Sequence, residues 1–211
     1  MLLFKNLRNY WATIRLGMIL LAMTLAIGTK SPALAIDARA QVSAIIPIKG
    51  AATTPDGASR LCVTYAWACA KSGRILQVGE AEMGVLRAVN SRANRIIRSI
   101  TDLQQYQMAE RWALPSKMGG DCEDYALAKK RDLIRTGFPA EQLLIATLLD
   151  RKRQSHAVLV VKTGVQDLVL DNLTDQILPW QKTGYTFLRM QDPRNPGRWV
   201  SVMAGGIFSK N

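Results

Sequence analysis

Residues 156–173 read HAVLVVKTGVQDLVLDNL. The first six are rich in β-branched and apolar residues and predict a strand. KTGVQ predicts a turn, and LVLDNL a second strand, so the stretch is a β-hairpin. It opens on the only histidine of the chain, His156, and carries Asp171 near its end. A two-residue turn at Thr163-Gly164 sets Asp171 opposite His156. A four-residue loop over 163–166 sets Asp171 opposite Val158, diagonal to His156. Either register puts both side chains on one face and within reach. A three-residue loop without a bulge separates them.

Working outward, LLIATLL at 143–149 reads as a buried strand, followed by the charged turn DRKRQS. Downstream, QILPW and YTFLRM precede the turn DPRNPG, and RWVSVMAG closes the sheet. Upstream, Val85, Val89, Ile96 and Ile100 recur at near-helical spacing and predict a helix over 80–107 with a basic outer face. Pro115 in ERWALP ends helical structure. A second helix is expected from Cys122 to Thr136, with Asp121 as N-cap, Asp124 as a capping-box acid, Gly137 as C-cap and Pro139 beyond it. Residues 61–70 read as a strand or a buried loop. Two helices followed by four or five strands joined by short turns make an antiparallel sheet of the α+β class. The chain shows no internal repeat, dinucleotide or phosphate-loop glycine motif, or paired-cysteine zinc pattern.

The chain has 211 residues, 48% hydrophobic and 21% charged, as expected of a globular protein. Its formal charge is +12. Lys5, Arg8, Arg15 and Lys30 lie in the first 35 positions, which hold no acid. The apolar run LGMILLAMTLAIG and the small-residue site ending at Ala35 then read as a secretory signal peptide over 1–35, with an uncleaved anchor helix as the alternative. The expected organisation is a signal peptide (1–35), a flexible segment (36–60) and one domain (61–211), periplasmic or otherwise exported, touching the membrane only through its signal. The remaining charge points to acidic surfaces or partners, but basic and aromatic residues do not interleave as in a nucleic-acid groove, so no nucleic acid is expected.

Export bears on the cysteines. An oxidising compartment favours a Cys62–Cys69 disulfide, with three free thiols as the alternative. Cys122 is then left over, in GGDCEDYALAKK at 119–130. At a helix start, backbone N–H groups and the helix dipole favour a thiolate and can donate to an oxyanion. A cysteine nucleophile needs a base and an orienting acid, and His156 and Asp171 are the candidates. The acids beside the thiol oppose its ionisation and call for a counter-charge. Asp121, Glu123 and Asp124 offer oxygen ligands to calcium; the alternative is that they only cap the helix.

GGDCEDYALAKKRDLIRTG, SHAVLVV and LVLDNLTDQILPW, in that order, resemble the bacterial transglutaminase-like cysteine peptidases. ERWALP and NPGRW are similar as well, and the resemblance runs from about Cys62 to Trp199. It implies a papain-like, transglutaminase-type fold with the cysteine helix packed on an antiparallel sheet. It also implies Cys122 as nucleophile, His156 as base, Asp171 as orienting acid, calcium on Asp121 and Glu123, and Trp112 lining the oxyanion site. The family includes calcium-dependent periplasmic proteases that release biofilm adhesins, so the implied partners are a large surface adhesin as substrate and an inner-membrane cyclic-di-GMP receptor. The expected activity is that of an exported cysteine endopeptidase. A transglutaminase-type acyl transferase or amidase uses the same triad, and a binding module that keeps the fold is the non-enzymatic alternative.

Overall fold

The computed structural model describes residues 43–209; the expected signal peptide lies outside the described residues. The elements, in chain order, are β1 (Gly50–Ala52), α1 (Leu61–Thr64), α2 (Glu80–Ile96), α3 (Asp102–Tyr106), α4 (Cys122–Arg135), β2 (Leu143–Leu149), β3 (Ser155–Lys162), β4 (Asp167–Leu170), β5 (Leu178–Pro179), β6 (Thr186–Asp192) and β7 (Asn195–Ala204). The strands form one sheet in the order β1-β7-β6-β2-β3-β4-β5, antiparallel throughout. The class is α+β.

The strands are not a simple succession. β2 pairs with β6 as well as β3, so the centre of the sheet is β6-β2-β3. Both faces of this centre are covered, which is why LLIATLL and HAVLVV read as continuous apolar runs rather than alternating ones. Leu143, Ile145, Leu159 and Val161 pack under Ala126, Leu127 and Leu133 of α4. Leu144, Ala146, Val158 and Val160 join Trp180, Phe187 and Met190 on the other face. α4 lies on β2 and β3, and α2 lies on α4.

Several expectations are corrected. The helix expected over 80–107 is two helices. Ile97 turns extended, Ile100 N–H donates to the Gly120 carbonyl (3.1 Å) and Gly120 N–H to the Arg98 carbonyl (3.0 Å). These bonds draw residues 98–100 out of helical geometry, and Thr101 caps α3 through a reciprocal box with Gln104. Gly50–Ala52, inside the stretch read as flexible, pairs along β7 as an edge strand. Residues 61–70 are neither strand nor plain loop: α1 and a 3-10 turn lie within a ring closed by the Cys62–Cys69 disulfide, whose Cα atoms are 5.5 Å apart. The turn expected at DPRNPG is shorter, because Asp192 pairs with Asn195 and β7 starts there. The C-cap expectation agrees with the backbone: Gly137 is left-handed, φ 105°, and Phe138 N–H returns to the Leu133 carbonyl.

Candidate active site

The hairpin register decides the site. Lys162 pairs with Asp167 and Leu159 with Leu170, so the loop is four residues long. Asp171 follows the last paired residue, on the diagonal from His156. His156 Nε2 lies 2.9 Å from Asp171 Oδ1, and both residues are buried. Leu173 N–H also donates to Oδ1 (3.0 Å), and the Tyr185 hydroxyl donates to Oδ2 (2.6 Å). The Tyr185 ring stands edge-on to the imidazole, centroids 6.0 Å apart. Burial pushes the Asp171 carboxyl up. The bonds from His156, Leu173 and Tyr185 and the imidazole charge outweigh it and hold the group below the ordinary carboxylate range.

Cys122 is the first residue of α4, and the Ala157 N–H, next to the histidine, favours its thiolate. Cys122, His156, Ala157, Trp112, Glu110 and Glu123 line one cleft of about 250 Å³. The structure therefore brings the sulfur and the imidazole to a common cavity. The thiol donates to Glu123 Oε2 (3.2 Å). Burial, then the charges of Glu123 and Asp121, push the thiol well above its usual range, against the Ala157 N–H.

The two glycines ahead of the cysteine have a steric cause. Gly119 is left-handed, φ 126°, and a Cβ there would overlap the Arg98 carbonyl; one at Gly120 would overlap the Asp124 side chain. The helix start is thereby pressed against residues 98–100 and α3.

The acids do not cap α4 as expected. Asp121 sits at the N-cap but makes no capping bond; its Oδ2 accepts from Asp102 N–H (3.1 Å). Asp124 Oδ1 accepts from Ala113 N–H (2.9 Å) instead of closing a box. Oxygens of Asp102, Asp121 and Glu123 gather within 4.8 Å of one another. Asp102 Oδ1, Asp121 Oδ1 and Glu123 Oε1 are buried without a hydrogen bond. Burial and then the Asp121 charge raise Asp102 and push Glu123 up to about 9. Burial, then Asp121 and Asp102, push Asp124 up to about 8, against the Ala113 N–H. Three mutually repelling carboxylates with free oxygens fit a hard divalent cation.

Sequence reading missed Asp102 and Tyr185. Asp102 was hidden by merging α2 with α3; the capping box TDLQ, at residues 101–104, was the available signal. Tyr185 had none, since it reaches Asp171 from the segment before β6. Trp112 lines the cleft, edge-on to Trp199 with centroids 5.6 Å apart. Cys62 and Cys69 are not in the cleft lining.

Comparison with known proteins adds the family. Residues 48–206 match the family model described as bacterial transglutaminase-like cysteine proteinase BTLCP. Among solved structures, calcium-bound LapG of Legionella pneumophila is 23% identical over 75% of this chain and 88% of that one, with a TM-score of 0.50, a likeness of fold. EGTA-treated LapG matches at 27% identity over 50% of this chain and 60% of that one, TM-score 0.43. A further LapG structure matches at 28% over 50% and 62%, TM-score 0.42. In these last two the chain spans less than two thirds of the LapG length. No curated protein matches. The family match covers most of the chain, from β1 to the end of β7, and the protein belongs to the bacterial transglutaminase-like cysteine proteinases.

Proposed function

We propose that the protein is an exported cysteine endopeptidase that works through Cys122, His156 and Asp171, requires calcium, and cuts an adhesin-type surface protein. The observation that carries this reading is the buried His156–Asp171 bond beside the cleft that Cys122 enters from the start of α4. Nε2 is committed to Asp171, which leaves Nδ1 as the nitrogen that exchanges protons. Nδ1 takes the thiol proton as sulfur attacks the backbone carbonyl, and delivers it to the leaving amine. It then deprotonates the water that releases the acyl group. Asp171, fixed by Tyr185 and Leu173, holds the ring and stabilises the imidazolium. The backbone N–H groups at the start of α4 would donate to a developing oxyanion.

Asp102, Asp121 and Glu123 would hold the calcium ion. When bound, it supplies the counter-charge these acids need beside a thiolate. The acids themselves place Glu123 against the sulfur, so their charge decides whether the thiol can ionise.

The test uses purified protein and a protein substrate in calcium. Cys122→Ala should abolish cleavage, His156→Ala should reduce it by about a thousandfold or more, and a chelator should suppress it reversibly. Full turnover by Cys122→Ala would reject the reading. Incorporation of a labelled amine in place of cleavage would assign acyl transfer to the same triad.

A further inference from the structure

Asp171 stands past the last residue of β4 that pairs with β3. The turn it opens, DNLTD at 171–175, is held from outside the sheet. Asn94 Nδ2 lies 2.9 Å from the Asp171 carbonyl, 3.1 Å from the Thr174 carbonyl and 2.9 Å from Asp175 Oδ1. One turn earlier on α2, the fully buried Asn90 donates to the carbonyls of Thr174 (3.3 Å) and Asp175 (3.2 Å). Residues four apart share a helix face, so a rigid 17-residue helix grips the turn at two levels. A third group comes from the nucleophile's own helix. Lys129 is two turns after Cys122, fully buried, and its Nζ makes no hydrogen bond. Burial pushes it down to about 7, and the carboxylates that act against this are Asp171 and Asp175.

We propose that Asn94, backed by Asn90, is a positioning residue for the peptidase reaction: it fixes the Asp171 backbone so that the carboxylate meets His156 in the one orientation catalysis uses. The proposal rests on the triad reading above. Asn94 touches neither the imidazole nor the sulfur, so it acts through Asp171. Displacing a catalytic group by about 1 Å costs on the order of a hundredfold in rate. Substrate contacts are untouched, so the loss falls on kcat.

The chain has one histidine, so the downfield imidazole N–H proton of the His156–Asp171 bond is a single NMR resonance that needs no assignment by mutation. Asn94→Ala should broaden or remove that resonance and lower kcat about tenfold to a hundredfold at unchanged KM. Arg95→Ala, next along α2 and exposed, should change neither. If Asn94→Ala does not fold, Asp175→Ala decides. Asp175 is exposed, and removing its carboxylate should broaden the resonance and lower kcat a few-fold in the same way. A resonance as sharp as in the wild type, with kcat within about twofold, overturns the proposal for whichever variant folds. Repeating the NMR in a Cys122→Ala background separates the two ideas. The resonance reads the latch without the nucleophile, whereas turnover that survives Cys122→Ala would sink the triad alone.

Discussion

At the scale of single residues, the acid of the proposed triad is the most heavily constrained group in the site. Each Asp171 oxygen is occupied, one by His156 and Leu173, the other by Tyr185. Removing the phenol leaves Oδ2 buried with no donor, so the carboxylate relaxes and the imidazole loses its fixed orientation. Tyr185→Phe should lower kcat by about tenfold, the equivalent of ~1.4 kcal/mol, while shifting Tm only slightly; rates equal to the wild type would show that the phenol is merely structural. Cys122, His156 and Asp171 could be proposed from the sequence because their types are rare and their setting is local: one histidine, one leftover thiol at a helix start, one acid on the hairpin. Tyr185 and Asn94 were not legible. A tyrosine before a strand and an asparagine on a helix are ordinary, and only tertiary packing brings them to the 171–175 turn.

At the scale of elements, the start of α4 stores a charge conflict. Asp121 and Glu123 flank the sulfur, and Asp102 comes to meet them because the chain leaves helical geometry after Ile96. That break was invisible to periodicity, since Ile96 and Ile100 continue the helical spacing across it; the bonds between Arg98, Ile100 and Gly120 override it. A carboxyl whose folded pKa is raised is favourable while protonated and destabilises the fold as pH rises from its unfolded value toward its folded one. For Glu123 that window runs from 4.5 up to about 9, and for Asp124 from 3.8 up to about 8. Calcium relieves the conflict only once the carboxylates have ionised. The rise in Tm caused by calcium, relative to chelator-treated protein, should therefore grow from about pH 5 to about pH 9. Lys129 and Lys130, both lowered to about 7 by burial, work in the opposite sense. They contribute equally with and without the ion and cancel in the difference. A calcium effect independent of pH, or one kept by Asp102→Asn, would place the ion elsewhere.

At the scale of the whole molecule, the sheet carries the site because both of its faces are buried. The class was legible from the hairpin and from the succession of strands. The strand order was not: β2 joins β6 through packing that no local pattern records. The disulfide ring was anticipated from cysteine spacing, and its place explains its use. It holds Leu61 and Ala68 in the core beneath α4, and Tyr65 accepts a bond from Leu114 N–H (3.1 Å), two residues after Trp112. Cys62→Ser with Cys69→Ser should cost about 2 kcal/mol from loop closure alone, seen as a lower denaturation midpoint with the cleft still alkylated at Cys122. An unchanged midpoint would mean that packing alone fixes this ring.

The central claim is that sulfur 122 cuts protein chains outside the cytoplasm. The most direct measurement compares new N-termini in the surface and periplasmic proteins of a wild-type strain and a Cys122→Ala strain. One or a few large surface proteins should carry termini in the wild type that are missing from the mutant, and should be retained whole on its cells. Identical termini in both strains would contradict the account.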